Sequence, residues 1–362
     1  MKPRNNEIEV TIFGPGYGEC IVVHIGSGKW AIIDSCLDDD GREPASISYL
    51  RKLDVSIDSD VISFSASHWH DDHVKGLAKT ISACKAAKLS FGSALQSKEF
   101  VAFLYAHEIQ PVQVLDRGGT ELLQCLKNLN ESGRQPKLLS EDTLIFDYGQ
   151  GELSHGLRVE LRALSPSGKQ FADFIQRIGD FSIKSKGLPK GRISEPSRNH
   201  LSVAMLLTIG NQGVLFGADL EQVSDSQKGW NAVVMNRRGR QPLSHVFKIP
   251  HHGSYNAYNK EVWKQMVDKH PWAIVTPWRK GGNTLPQDSD VTRIKSHTNN
   301  CYITSTKYLP TKKRYDRETI KQIKATKSNF CPSIFSCGRV TMRWVAGTTP
   351  PKVTLADGAK AL

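Results

Sequence analysis

A short apolar run, Val61-Ile62-Ser63-Phe64-Ser65-Ala66, leads directly into Ser67-His68-Trp69-His70-Asp71-Asp72-His73. Little else in the chain constrains its fold as much. Three imidazoles and two carboxylates crowd the end of one buried strand, and polar groups in such a place need partners brought from elsewhere. The whole chain has twelve histidines, and three of them stand in this loop, so a surface loop of chance composition is the weaker reading. His68 and His70, two apart in an extended tail, can face one side and chelate a single cation. Asp72 and His73 fall past the turn and can reach a second. Neutral imidazole with a hard carboxylate oxygen suits zinc, and also manganese or iron.

Two cations need more ligands, supplied by other strand ends. Asp219 closes Val214-Leu215-Phe216-Gly217-Ala218. A carboxylate there either caps a turn or helix or bridges two cations, which stand about 3.5–4 Å apart in two-metal hydrolytic sites. His251 and His252 follow Val246-Phe247-Lys248-Ile249-Pro250 in the same strand-end position. Beside the other clusters, a ligand among them is the favoured reading.

The surrounding pattern is α/β. Glu9–Phe13 alternates as a strand and ends in the glycine-rich Gly14-Pro15-Gly16-Tyr17-Gly18. Ile21–Ile25 and Trp30–Asp34 form a hairpin about Gly26-Ser27-Gly28. Residues 44–53, 74–88 and 117–130 read as helical, and 159–164 as extended. Further strands are expected at 202–209, 213–216, 244–249, 273–276 and 340–345. The stretch 167–199 holds Lys169, Arg177, Lys184, Lys186, Lys190, Arg192 and Arg198, with few apolar anchors after Phe181, and reads as a basic, mobile insertion. A second basic run, 307–327, contains Lys307, Lys312, Lys313, Arg314, Arg317, Lys321, Lys324 and Lys327.

Composition sets the class. The 362 residues are 39% hydrophobic, enough for a sizeable core and against wholesale disorder. No apolar stretch is long enough for a transmembrane helix, and the start lacks a signal-peptide core. Seven scattered cysteines without a CxxC pair point to a reducing, cytoplasmic setting. Against 36 acidic groups stand 48 Lys and Arg, a formal charge of +12. Such a balance favours a polyanionic partner, nucleic acid above all, or a phosphorylated substrate, the other reading being a surface that is basic for solubility.

Taken in order, Asp34 after a strand, the HxHxDH motif at 68–73, Asp219 after a strand and His251-His252 resemble the metallo-β-lactamase fold superfamily. The resemblance is closest to the metallo-β-lactamase-like domain of the bacterial competence DNA-uptake channel and its free-standing relatives. It extends to the opening Phe13–Cys20, to Asn199-His200-Leu201-Ser202, to His251-His252-Gly253-Ser254 and to Pro271–Val275 with Asn283–Pro286. It covers roughly residues 7–306. The fold it implies is an αββα sandwich over residues 1–306, interrupted by the insertion at about 167–199. Residues 307–362 would be a basic C-terminal extension packing on or flanking it.

By the same resemblance, His68 and His70 are ligands of a first metal, Asp72 and His73 of a second, and Asp219 is the bridge. His251, or failing that His252, completes the second site, and Asp34 supports the histidine loop. The superfamily's third histidine on the first metal is replaced by Asn199, with His200 beside it as the alternative ligand.

The activity implied is metal-dependent hydrolysis at a dinuclear zinc or manganese site. A phosphodiesterase or nuclease acting on DNA or RNA through a metal-bound hydroxide is favoured. Asp72 would orient that hydroxide, and whichever of His251 and His252 is not a ligand would protonate the leaving oxygen. Asn199, Ser254, Lys248, Arg279 and Lys280 are candidate substrate contacts, the three basic groups being alternatively solvated surface charges. His200, Trp69, Tyr255 and Trp278 are candidates for stacking on a base. A protein partner gating the site is compatible with this reading, and membrane attachment is not expected. The alternatives are a small-molecule hydrolase, acting on a cyclic nucleotide, phosphoester, ester or lactone, and a nucleic-acid- or partner-binding module with an idle site.

Overall fold

A computed structural model of the chain describes residues 1–15, 17–38, 41–93, 117–184, 198–237, 242–280, 283–305 and 337–362. The first strands are β1 (Glu7–Phe13), β2 (Cys20–His24), β3 (Trp30–Ile33), β4 (Val61–Ala66), β5 (Lys88–Gly92) and β6 (Lys137–Leu139). Next come β7 (Leu144–Tyr148), β8 (Val159–Ala163), β9 (Met205–Ile209), β10 (Gln212–Phe216), β11 (Ser244–Lys248) and β12 (Val267–Val275). The last are β13 (Trp278–Lys280), β14 (Asn283–Leu285), β15 (Cys301–Ile303), β16 (Arg339–Val345), β17 (Lys352–Ala356) and β18 (Lys360–Ala361). They form two eight-stranded sheets, ordered β17-β16-β1-β2-β3-β4-β5-β6 and β18-β15-β12-β11-β10-β9-β8-β7, and a small β13-β14 hairpin.

Strand periodicity explains the layers. Side chains on a strand alternate between faces, and on β1 Ile8, Val10 and Ile12 join Ile21, Val23, Val214 and Val246 in an apolar layer between the sheets. The opposite face of the first sheet, with Val22, Ile32 and Phe64, packs on Leu50, Leu77 and Ile81 of flanking helices. Leu215 and Phe247 on the outer face of the second sheet meet Trp230, Val262 and Ile294. Helices outside, two sheets inside: this is the expected αββα sandwich.

Several local expectations need correction. Residues 74–88 are not one helix. A single turn at Asp71–Val74 stops before Gly76, whose φ of +78° breaks the spiral, and a second helix runs Leu77–Ala83 before β5 begins. Nor is 167–199 wholly a mobile insertion, because Gly168–Lys184 is a helix. Phe171, Phe174 and Ile175 seat it on the core, with the Phe174 ring 5.9 Å from Trp69. Trp69 is thereby buried, a packing role and not a base-stacking one. Residues 185–197 and the basic run at 307–327 lie outside the described residues. The final segment builds into both sheets. All of β16 pairs with β1, from Glu7↔Val345 to Phe13↔Arg339, and β18 pairs with β15.

The connections aim the chemistry at one edge. β3, β4 and β5 run parallel, as do β10, β11 and β12. Their carboxyl ends release Asp34, the Ser67–His73 loop, Asp219, the His251-His252 pair and Thr276, the place where ligands gather in open parallel sheets.

Candidate metal centre

Two ligand groups form at this edge and share Asp219. Potential ligand atoms of Asp72, His73, Asp219 and His252 lie within 4.8 Å of one another, and so do those of His68, His70 and Asp219. His68 Nε2 lies 3.2 Å from His70 Nδ1 and 3.7 Å from Asp219 Oδ2.

Each buried imidazole is held by its far nitrogen, which fixes the ring and turns the near nitrogen inward. Asp34 Oδ2 accepts from His73 Nδ1 at 2.8 Å and from Ser67 Oγ at 2.6 Å, while Oδ1 takes Ser67 N at 2.7 Å. His252 Nδ1 donates to Thr276 O at 3.0 Å, leaving Nε2 at 3.1 Å from Asp72 Oδ2 and 3.5 Å from Asp219 Oδ2. His68 Nδ1 lies 3.0 Å from Ser67 Oγ and 3.3 Å from Ser202 Oγ. Ser202 Oγ also accepts from Asp219 N, so the Asn-x-x-Ser segment ties the two halves of the centre together.

The backbone here is forced. Asp34, Ala218, His251 and His252 all have φ between 42° and 60°, a region that costs a non-glycine residue energy. Gly217 is required at its position, because a Cβ would meet Pro250 Cβ at 2.8 Å. Lys248 is fully buried, its Nζ 2.6 Å from Glu19 Oε2 and donating to Ala218 O at 3.1 Å. It braces the Asp219 turn from inside and does not face a substrate.

The electrostatics follow from burial and proximity. Burial alone would push the His73 and His252 imidazoles down. The neighbouring carboxylates, Asp219 foremost, overcome it and hold His73 well above its ordinary range and His252 up to about 9. His68, where burial wins, is lowered. Burial likewise opposes ionisation of Asp72 and Asp219, yet the adjacent imidazoles keep both carboxyls below the usual range.

These residues fit divalent cations. His73 Nε2 and Asp219 Oδ1 are buried 3.3 Å apart and neither has a hydrogen-bond partner. A buried carboxylate and imidazole that turn on one another beneath anchored rings, with no further partner, are groups a cation could take as ligands once His73 gives up its proton.

Of the adjacent histidines it is His252 that enters the ligand group. His251 instead faces the rim, Nε2 at 3.0 Å from Asn199 Nδ2 and Nδ1 at 3.0 Å from Asn256 Oδ1. At the centre of this rim is Glu221, which sequence reasoning missed. It accepts from Asn199 and Asn256 and lies 3.1 Å from His200 Nε2. The structure therefore places His200 and Asn199 on Glu221, outside both ligand groups. The Asp219-Leu220-Glu221 spacing was the available signal. Ser254 follows on the same loop, its amide bonded to His251 O. Arg279 stands on the β13-β14 hairpin beside Trp278, whose ring is 6.3 Å from Tyr17. Tyr17 in turn donates to Asp71. The Lys280 side chain lies outside the described residues.

No protein-family model matches the sequence, and no curated protein does. Among solved structures, the metallo-β-lactamase fold protein YhfI from Bacillus subtilis is similar at 10% identity and a TM-score of 0.42, over 82% of this chain and 95% of its own. MIM-1 from Novosphingobium pentaromativorans is similar at 14% identity and 0.34, over 72% and 82%. The MIM-2 metallo-β-lactamase is similar at 16% identity and 0.31, over 62% of this chain, which spans 61% of that protein's length. The architecture itself is defined by the strand order and layers given above. Among the described residues, no helix is long and apolar enough to cross a membrane.

Proposed function

We propose that this chain is a dinuclear metal-dependent hydrolase that cleaves phosphodiester bonds in nucleic acid. The observation that carries it is the orphaned pair His73 Nε2 and Asp219 Oδ1, buried at the junction of the two ligand groups. His68, His70 and Asp219 would hold one cation and Asp72, His73, Asp219 and His252 the other. Bound there, zinc or manganese would lower the pKa of water toward roughly 7 and neutralise charge growing on phosphate oxygens.

The protein's own groups supply position and proton handling. Asp34 and Thr276 hold the His73 and His252 rings in the tautomer that turns Nε2 inward. Asp72, facing His252 from the loop, orients the attacking water. With His252 among the ligands, His251 on the rim is the group to return a proton to the leaving oxygen, and Glu221, Asn199 and Asn256 hold its ring. Nucleic acid is favoured as substrate by the +12 charge and by the basic sequence at 307–327, which would make affinity fall steeply with salt.

The test is metal content on protein purified without chelator, with cleavage of single- and double-stranded DNA and RNA assayed on the same sample. Near two metals per chain with cleavage establishes the reading. Metals without cleavage would move the assignment to a small-molecule hydrolase, and no metal after supplementation would leave a binding module.

A further inference from the structure

We infer that Tyr255 is a base-stacking position that presents an unpaired nucleotide to the metal centre, so that the substrate is single-stranded; this rests on the nucleic-acid reading above. Among the described aromatic side chains Tyr255 alone is exposed, at 72%. It stands three residues past His252, and its neighbour Asn256 bonds both His251 and Glu221 at the rim.

A lone exposed ring is ordinary. This one ends a pile of rings rooted in the core. Trp263 packs edge-on against Phe247 at 5.1 Å, and His297 stacks on Trp263 at 4.3 Å with 10° between planes. Tyr258 donates to or accepts from His297 Nε2 at 3.1 Å, and Tyr255 stacks beside Tyr258 at 6.4 Å and 27°. Arg293 lies over both tyrosines, 5.3 and 5.1 Å from their centroids, and is fixed by Gly253 O and Asp290 Oδ1.

The ring is therefore held in place before any ligand arrives, which removes much of the ordering cost of a stacking contact. Tyr255 keeps 72% of its surface open to solvent on the loop that also carries His251, with Tyr258 and Arg293 as ring neighbours. The Arg293 guanidinium, paired with Asp290 at 2.8 Å, braces both tyrosine rings. Bases in a duplex already have both faces covered, so only an unstacked base can take the position.

The test is fluorescence of a short single strand carrying 2-aminopurine and phosphorothioate linkages, titrated with the full-length protein. Stacking predicts quenching on binding, and Tyr255→Ala should lose the quenching and weaken binding by roughly tenfold. Tyr255→Phe should retain both, and a matched duplex should show no quenching. Equal melting temperatures would establish that the variants fold. Binding without quenching, unchanged affinity of Tyr255→Ala, or equal behaviour of the duplex would each overturn the inference. So would failure of the wild type to bind the strand. Cleavage of an unmodified strand is assayed separately with zinc or manganese. Cleavage without dependence on Tyr255 rejects the stacking position alone, whereas Tyr255-dependent quenching without cleavage rejects the hydrolase and leaves the stacking position standing.

Discussion

Asp34 holds His73 by the ring nitrogen that faces away from the centre, Oδ2 to Nδ1 at 2.8 Å. Asp34 would therefore act on a cation held by His73 without touching it. Asp34→Asn keeps the shape and removes the charge, and should weaken metal binding by about 10–100-fold with the fold retained. Zinc affinity by competition with a chromophoric chelator would measure it. An unchanged affinity would remove Asp34 from the support of the centre.

Asp219 belongs to both ligand groups, so its loss should empty both. Asp219→Ala is expected to purify with little bound metal and no turnover, while retaining salt-sensitive binding to nucleic acid. Plasma mass spectrometry and a filter-binding assay on one sample would show this. Full activity in that variant would refute the bridging role.

Lys248 separates a structural from a substrate-binding role. Lys248→Met strands the Glu19 carboxylate in the interior, at a cost of about 3–5 kcal/mol. The expected signature is a large fall in Tm. Should the variant melt normally and show only a raised KM, Lys248 contacts substrate after all.

Acid should destabilise the fold before ordinary carboxylates titrate. Burial lowers His24 and His245 to about 4 from the usual 6.5. The unfolded chain takes up protons below pH 6.5 that the native state refuses until about 4. The contribution of these two residues is therefore complete above 6.5 and is lost as pH falls between those values, at ~1.4 kcal/mol per pH unit for each residue. His245 lies between the rings of Trp272 and Trp344, so His245→Phe should fit there. It should lessen the fall in Tm of the metal-free protein between pH 7 and 5, the remainder resting on the other imidazoles that burial lowers, His24 and His68 among them. The same fall in variant and wild type would refute this assignment.

Strand ends were legible because alternation and a following polar cluster are local signals: β4 into Ser67–His73 and β10 into Asp219 needed no tertiary knowledge. Which of two adjacent histidines turns inward is not local. His251 and His252 both have positive φ, and Gly217 packing on Pro250 sets the path of that loop. The helix Gly168–Lys184 was obscured by its charges, although Phe171, Phe174, Ile175 and Ile178 keep helical spacing. Glu221 was missed because a carboxylate joining Asn199, Asn256 and His200 is recognisable only once distant segments meet.

Pairing of β1 with β16 has a consequence for synthesis. Glu9, fully buried in β1, is neutralised by Arg343, which lies 334 residues away. At ~5–20 residues per second, roughly 17–70 s separate the two on the ribosome. A nascent chain that has passed Thr276 already carries every candidate ligand named above. It still has an unpaired strand edge and an unmatched carboxylate in the first sheet, so the centre can stand on a finished scaffold only after Arg343 has emerged.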